Sequence, residues 1–190
     1  MNPKNALLTL PLTACCLLAA CAKHEPPAQT APAQADAQLV QMREERERND
    51  KNLATFDDLD FNVYSGQKWD EFHRSHAEDI VVHYPDGRTT TGLQAHLAEL
   101  KPQFEFAPDT RIKVHPIKVA QGDYTAVMGV MEGTFSQPMK TPDGKSIAPT
   151  NKPFKLDMVT IGRWKNGVMV EEWLFWDNQA FIKQIGLAGG

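Results

Sequence analysis

The chain has little with which to act through thiols or on nucleic acid. Its three cysteines, Cys15, Cys16 and Cys21, all lie near the N-terminus, so the remaining sequence has neither a disulfide nor a thiol nucleophile. Lys and Arg number 20 against 24 Asp and Glu, a net charge of −4. With no basic excess, no nucleic-acid partner is expected. The longest apolar stretch, Ala6 to Ala20, is interrupted by Pro11 and is too short to span a bilayer. No phosphate loop, serine elbow or dinucleotide fingerprint is found, and no cofactor is expected. What is present, 190 residues of which 42% are hydrophobic, suffices for one domain with a real core.

The N-terminal stretch, 1–20, reads as an export signal, with Lys4 ahead of the apolar run. Leu18-Ala19-Ala20-Cys21 resembles the lipobox of bacterial lipoproteins, which implies lipidation of Cys21. The competing match at Leu12-Thr13-Ala14-Cys15 leaves an apolar region of only about seven residues. Ala22 after the cysteine resembles a signal for outer-membrane retention, so the expected location is the cell envelope, lipid-anchored, facing the periplasm. Residues 21–37, with Pro26, Pro27 and Pro32, lack periodic apolar positions and read as a flexible tether. Residues 38–55 form a charged helical lead-in whose run REERERNDK reads as a solvated helix face. The functional domain is expected over 56–190.

Within it, Phe56, Leu59, Phe61, Val63 and Tyr64 predict an amphipathic helix ending near Ser65-Gly66, and Trp69, Phe72 and His76 mark the inner side of a second helix. A strand is predicted over Asp79–Tyr84, then a helix from Leu93 ended by Lys101-Pro102. Strands follow at Thr110–Ala120, broken or at an edge because of Pro116, and at Tyr124–Phe135, apolar on both faces and so central. A Pro- and Gly-rich loop over Ser136–Pro153 reads as a lid or a long hairpin tip. Two last strands meet at Asn166-Gly167, a hairpin signal, and a short helix closes the chain. Helices first and antiparallel strands after them predict an α+β fold: a cone-shaped, curved, mostly antiparallel sheet wrapped around the N-terminal helices.

The final strand is the informative one. Strict alternation puts Met169, Glu171, Trp173, Phe175 and Asp177 on one face, and Val168, Val170, Glu172, Leu174 and Trp176 on the other. Whichever face is covered thus holds a carboxylate among aromatic rings, where burial raises its pKa toward the range useful for acid/base work.

Four stretches, Trp69 with Phe72, DIVVHYPDGRTTTG at 79–92, KPFKLDMVTIGRWKNG at 152–167 and EEWLFWDNQAFIKQIG at 171–186, together resemble the SnoaL-like polyketide cyclase (ester cyclase) family, of the nuclear-transport-factor-like cone fold. The resemblance implies a cavity for a small hydrophobic or aromatic molecule. It also implies an aspartate near the end of the last strand acting as acid/base in aldol ring closure, a position matched here by Asp177.

Asp177 is accordingly the expected base, although its place before Asn178 equally suits a helix cap. His83 or a tryptophan N–H is the expected hydrogen-bond donor to a developing oxyanion. Trp69, Phe72, Trp173, Phe175 and Trp176 are candidate pocket walls or ordinary core. Glu132 faces the cavity or pairs with Lys155 or Arg163, and Asp157 presents the same choice. His73, His76, Asp79 and His83 are too spread over a helix, its exit and a strand to predict a metal site. His96 and His115 are expected at the surface or packed structurally. The alternative to an acid/base enzyme is a noncatalytic module whose outer sheet face forms a homodimer.

Overall fold

The computed structural model describes residues 31–141 and 143–188. The expected signal, Cys21 and most of the tether lie outside the described residues. Helix α1 runs over Ala31–Asp58, so 31–37 is helical where a tether was expected. Ala and Gln are strong helix formers, and Pro32 sits in the first turn, where its missing N–H costs nothing. A π turn over Leu59–Tyr64 and a 3-10 turn over Trp69–Arg74 follow.

The remaining elements are β1 (His76–His83), β2 (Thr89–Thr91), α2 (Leu93–Phe106), β3 (Arg111–Ile112), β4 (Ile117–Gln121), β5 (Tyr124–Thr134), β6 (Met139–Lys140), β7 (Ser146–Ile147), β8 (Pro153–Lys165), β9 (Val168–Trp176) and α3 (Asn178–Gln184). The seven-stranded sheet has the order β2-β1-β9-β8-β5-β3, with β4 also on β5. Every pairing is antiparallel except β1 with β9. The fold is the predicted α+β cone.

Further elements depart from expectation. His76, expected on the second helix, opens β1. Helix α2 continues past Pro102. Phe104 and Phe106 beyond it are buried, and that burial, about 1.5–3 kcal/mol per side chain, offsets the hydrogen bond that proline removes. The strand expected over Thr110–Ala120 is split into β3 and β4 on either side of Pro116. The Ser136–Pro153 loop contains the small hairpin β6–β7.

The core lies between the concave face of the sheet and the helices, with Phe56, Phe72, Ile80, Ile112, Phe135 and Met169 essentially solvent-free. The β8–β9 turn uses Asn166 (φ 54°) and Gly167 (φ 83°), the left-handed pair that matches strand twist. Just beyond it the register slips: Trp164 pairs with Met169, but Arg163 pairs with Glu171. Val170 is the extra residue of a β-bulge. Met169 therefore shares the concave face with Glu172, Leu174 and Trp176, while Glu171, Trp173 and Phe175 point outward. One residue of slip exchanges the faces of a strand.

Candidate active site

A cavity of about 300 Å³ opens between the sheet and the helices. Its walls are mostly apolar, among them Leu59, Phe72, Phe106, Met131, Leu156 and Leu174. Met139 of β6 and Phe181 and Ile182 of α3 also line it, as do Arg88 and Glu99. Arg88, Glu99 and Ile182 are exposed and mark the end that reaches the surface. The 136–153 loop thus serves as wall at its base and as hairpin tip at Asp143-Gly144.

Away from the open end, buried ionisable groups reach this apolar space from two sides. The first is a floor built from β1, α2 and β9. His76, His96 and Glu172 there are 2%, 2% and 4% exposed. Glu172 Oε2 lies 3.8 Å from His76 Nε2 and 3.5 Å from His96 Nε2. The two imidazoles stack with centroids 5.5 Å apart. The opposite nitrogen of each ring meets a hydroxyl: His76 Nδ1 meets Ser75 Oγ at 2.9 Å, and His96 Nδ1 meets Tyr84 Oη at 2.9 Å. Gly162 is paired with Glu172 across β8 and β9. A Cβ at Gly162 would sit 2.6 Å from Met169 Sδ, so only glycine leaves this layer unstrained.

Burial pushes the Glu172 carboxyl up, but the His76 and His96 rings beside it outweigh burial and hold it below the ordinary glutamate value. At 3.8 Å the His76 contribution is electrostatic attraction rather than a hydrogen bond. Burial pushes His96 down to about 4 despite Glu172, so its ring is neutral near pH 7. Burial likewise pushes Tyr84 up to about 12, which keeps its hydroxyl protonated.

The second polar place is Asp60, on the π turn, which lines the cavity with a side chain 14% exposed. His115 Nε2 donates to Asp60 Oδ2 at 2.8 Å, and His115 Nδ1 donates to Asp57 Oδ1 at 2.7 Å. Lys118 completes the line by binding the other oxygen of Asp57. Phe61 and Phe56 pack on the imidazole, with centroids at 4.4 and 5.7 Å. With both aspartates ionised, each can only accept, and the ring between them is the imidazolium. Burial lowers the His115 pKa, yet Asp60 and Asp57 raise it further, and the net direction is up. Burial pushes Asp60 above the usual carboxylate range although His115 pulls it down. Asp57 is also desolvated, but Lys118 and His115 hold it below that range.

Of the residues singled out from sequence, Phe72 lines the cavity. Trp69 stacks on Phe72 from behind at 5.7 Å and is not part of the wall. Asp177 is exposed, and its Oδ1 accepts the amides of Gln179 and Ala180, both at 2.9 Å. It is the α3 cap and does not line the cavity. His83 is on the convex face, 3.0 Å from Glu171 Oε1 and stacked on Trp173 at 5.1 Å. Phe175 is 49% exposed on that face. Glu132 binds Arg111 at 2.8 Å rather than Lys155 or Arg163, and Asp157 is exposed. His73 and Asp79 are exposed and apart from the floor, which leaves His76 as the single member of that group to reach it.

The groups missed were Asp60, His96 and His115. Asp60 and His115 are 55 residues apart in sequence, and no local pattern joins them. For His96, a legible signal existed: it falls one residue before Leu97 and three after Leu93, on the buried face of α2.

Comparison with known proteins agrees with this architecture. The model of the SnoaL-like polyketide cyclase family matches residues 54–185. A candidate SnoaL-like polyketide cyclase from Jannaschia sp. CCS1 is 19% identical, superposes with a TM-score of 0.64, and aligns over 75% of this chain and 95% of its own. IdmH, a candidate polyketide cyclase from Streptomyces antibioticus, is 24% identical with a TM-score of 0.60, over 71% of this chain and 98% of its own. A protein with a ketosteroid isomerase-like fold from Catenulispora acidiphila DSM 44928, solved with trimethylamine, is 14% identical with a TM-score of 0.56, over 72% and 92%. At these identities the structures speak to fold. Comparison with curated proteins finds no match. The chain belongs to the SnoaL-like polyketide cyclase family.

Proposed function

We propose that the cavity binds a small hydrophobic molecule carrying a carbonyl or similar oxygen, and that the protein moves a proton at a neighbouring carbon, as in aldol-type cyclisation or isomerisation. The observation that carries this reading is the pairing, within one apolar cavity, of a largely buried carboxylate (Asp60) with a separate polar floor (Glu172, His76, His96). Asp60 takes the proton from carbon. His115 and Asp57 hold Asp60 in place and connect it toward Lys118 at the surface. The imidazoles of the floor, His76 and His96, face the oxygen on which charge develops. About 300 Å³ is at the small end of ligand pockets.

The same reading places the domain in the cell envelope, lipid-anchored through Cys21 to the outer membrane and facing the periplasm. Its test is direct: in a bacterial host, Cys21→Ala releases the chain from the membrane fraction, whereas Cys15→Ala does not.

Ligand binding is tested by incubating the purified full chain with extracts, washing, and identifying what is retained by mass spectrometry. A small apolar oxygen-bearing compound is expected on the wild type and lost from Leu174→Trp, which fills the cavity. Retention of the same compound by Leu174→Trp contradicts the proposal.

A second reading, a homodimer through the convex face, has its own support. Ile117, Met128, Val159 and Phe175 form one cross-strand row, and Val119, Ala126, Ile161 and Trp173 the next. Ile117, Val119 and Phe175 are 57%, 58% and 49% exposed. Contiguous exposed apolar rows of this kind mark interaction surfaces. Sedimentation of the wild type as a dimer and of Phe175→Glu as a monomer is the expected result, and a monomeric wild type rules it out.

A further inference from the structure

His76, His96 and Glu172 come from three separate elements and bring one ligand atom each to a common point, with all three atoms within 4.8 Å of one another. The arrangement leaves buried polar atoms unsatisfied. Ser75 Oγ lies 2.9 Å from His76 Nδ1 and 3.2 Å from the carbonyl of Phe72, which orients the ring. His76 Nε2 and Glu172 Oε2 face each other and are both buried without a hydrogen-bond partner. Such a pair needs a positive particle, a proton or a cation, between its two atoms.

The spacing indicates which. Separations of 3.8 and 3.5 Å exceed a good N–H···O bond, about 2.7–3.2 Å. They are close to the edge, roughly 3.4 Å, of a tetrahedron whose ligands lie about 2.0–2.1 Å from a central cation. The hydroxyls of Ser75 and Tyr84 on the far nitrogens are the partners that fix a metal-binding imidazole in one orientation.

We propose that His76 Nε2, His96 Nε2 and Glu172 Oε2 form a site for one divalent transition metal ion, with the remaining coordination position opening into the cavity. Two imidazoles and a carboxylate favour the zinc, cobalt and iron(II) class over magnesium or calcium. Three protein ligands plus an open position is the catalytic rather than the structural pattern. An oxygen bound at that position is polarised, which acidifies the neighbouring C–H. Asp60, which is not among the three ligands, remains free to take the proton. The inference extends the proposed use of the cavity, but metal binding is measurable with no substrate in hand, so the two fail separately.

The test uses the purified full chain, with Cys15, Cys16 and Cys21 alkylated so that thiols do not compete. After removal of metal by a chelator, it is titrated with Co²⁺ and, separately, Zn²⁺, followed by calorimetry and by the visible absorption of cobalt. The expected result is one ion per chain with the intense spectrum of a low-coordinate N/O site. Ser75→Ala, which removes only an orienting hydroxyl, should weaken binding about 10- to 100-fold, and Glu172→Gln, which keeps the shape, by more. His73→Ala, at an exposed histidine outside the site, should change nothing. Circular dichroism of each metal-free variant separates lost binding from lost folding. Absence of stoichiometric uptake, or uptake unchanged in folded Glu172→Gln, overturns the proposal.

Discussion

Glu171 and Glu172 are consecutive residues with opposite circumstances. Glu171 is on the convex face, gripped by Arg163 at 2.8 and 3.0 Å and by His83 at 3.0 Å. Those partners, His83 first, hold its carboxyl below the ordinary glutamate value. Its hydrogen-bonding capacity is used and water is near. Glu172 is on the concave face, where one oxygen has no hydrogen-bond partner at all. A satisfied surface ion pair is a structural feature. Burial of a carboxylate with an unsatisfied oxygen carries a desolvation cost that the two imidazoles beside it offset, and such groups cluster where chemistry is done.

The largest expected difference between the two faces is in packing. Leu174→Ala, on the cavity side at 6% exposure, should cost about 2–5 kcal/mol in chemical denaturation. Phe175→Ala, its outward neighbour, should cost about 1 kcal/mol or less. Equal losses would mean that the bulge-set faces are misassigned.

Next comes Glu172→Leu, which replaces a buried charge by an apolar side chain of similar volume. It should leave thermal stability unchanged or raise it while abolishing the function of the cavity. A pronounced fall in melting temperature would instead make Glu172 a structural residue.

Smaller, and dependent on pH, is the Asp57–His115–Asp60 line. The folded-state pKa of His115 is raised, so its stabilisation is fully present below the unfolded value of about 6.5. It is lost as pH rises through the raised value. Asp60, also raised, adds its own loss of stability as pH rises from the unfolded value near 3.8 through its folded one. Asp57 is lowered, so its contribution is lost only in acid, below about 3.8. Lys118, the remaining charge on the line, stays cationic throughout. Melting temperature followed from pH 6 to 9, a window of about three units on the alkaline side of free histidine, should decline in the wild type. The decline should flatten in His115→Gln, and an unchanged slope there removes His115 from the account.

The smallest effect belongs to the convex ion pair. Glu171→Ala should cost about 0.2–1 kcal/mol, less at high salt.

The same contrast explains what was readable in the sequence. Period-2 alternation made it evident that one of the two glutamates had to be covered, and element order was enough to predict the cone. The choice between faces was not available, because it turns on Val170, an extra residue that leaves hydropathy unchanged while moving Trp173 and Phe175 outward. Hence Trp173 and Phe175 were expected at a cavity that they do not line, whereas His83 faces outward on β1 because Ile80 and Val82 take its buried side. Asp177 was expected there from family resemblance, and its dual character was visible beforehand: an aspartate directly before a helix is a favoured cap, and it does cap α3. Asp60 was hidden for a different reason. It sits where α1 gives way to a π turn, and it gains its chemistry from His115, across the fold.

Proton exchange at carbon measures the central claim most directly. A ligand retained by the cavity, or a panel of small apolar ketones, is incubated with the purified chain in deuterated water, and deuterium uptake beside the carbonyl is read by mass spectrometry. Asp60→Asn should slow the uptake by about 10²- to 10⁴-fold, while Asp177→Asn, a change at the helix cap, should leave it within a few-fold of wild type. Uptake that survives in Asp60→Asn and disappears in a folded Asp177→Asn would move the chemistry out of the cavity and contradict the account.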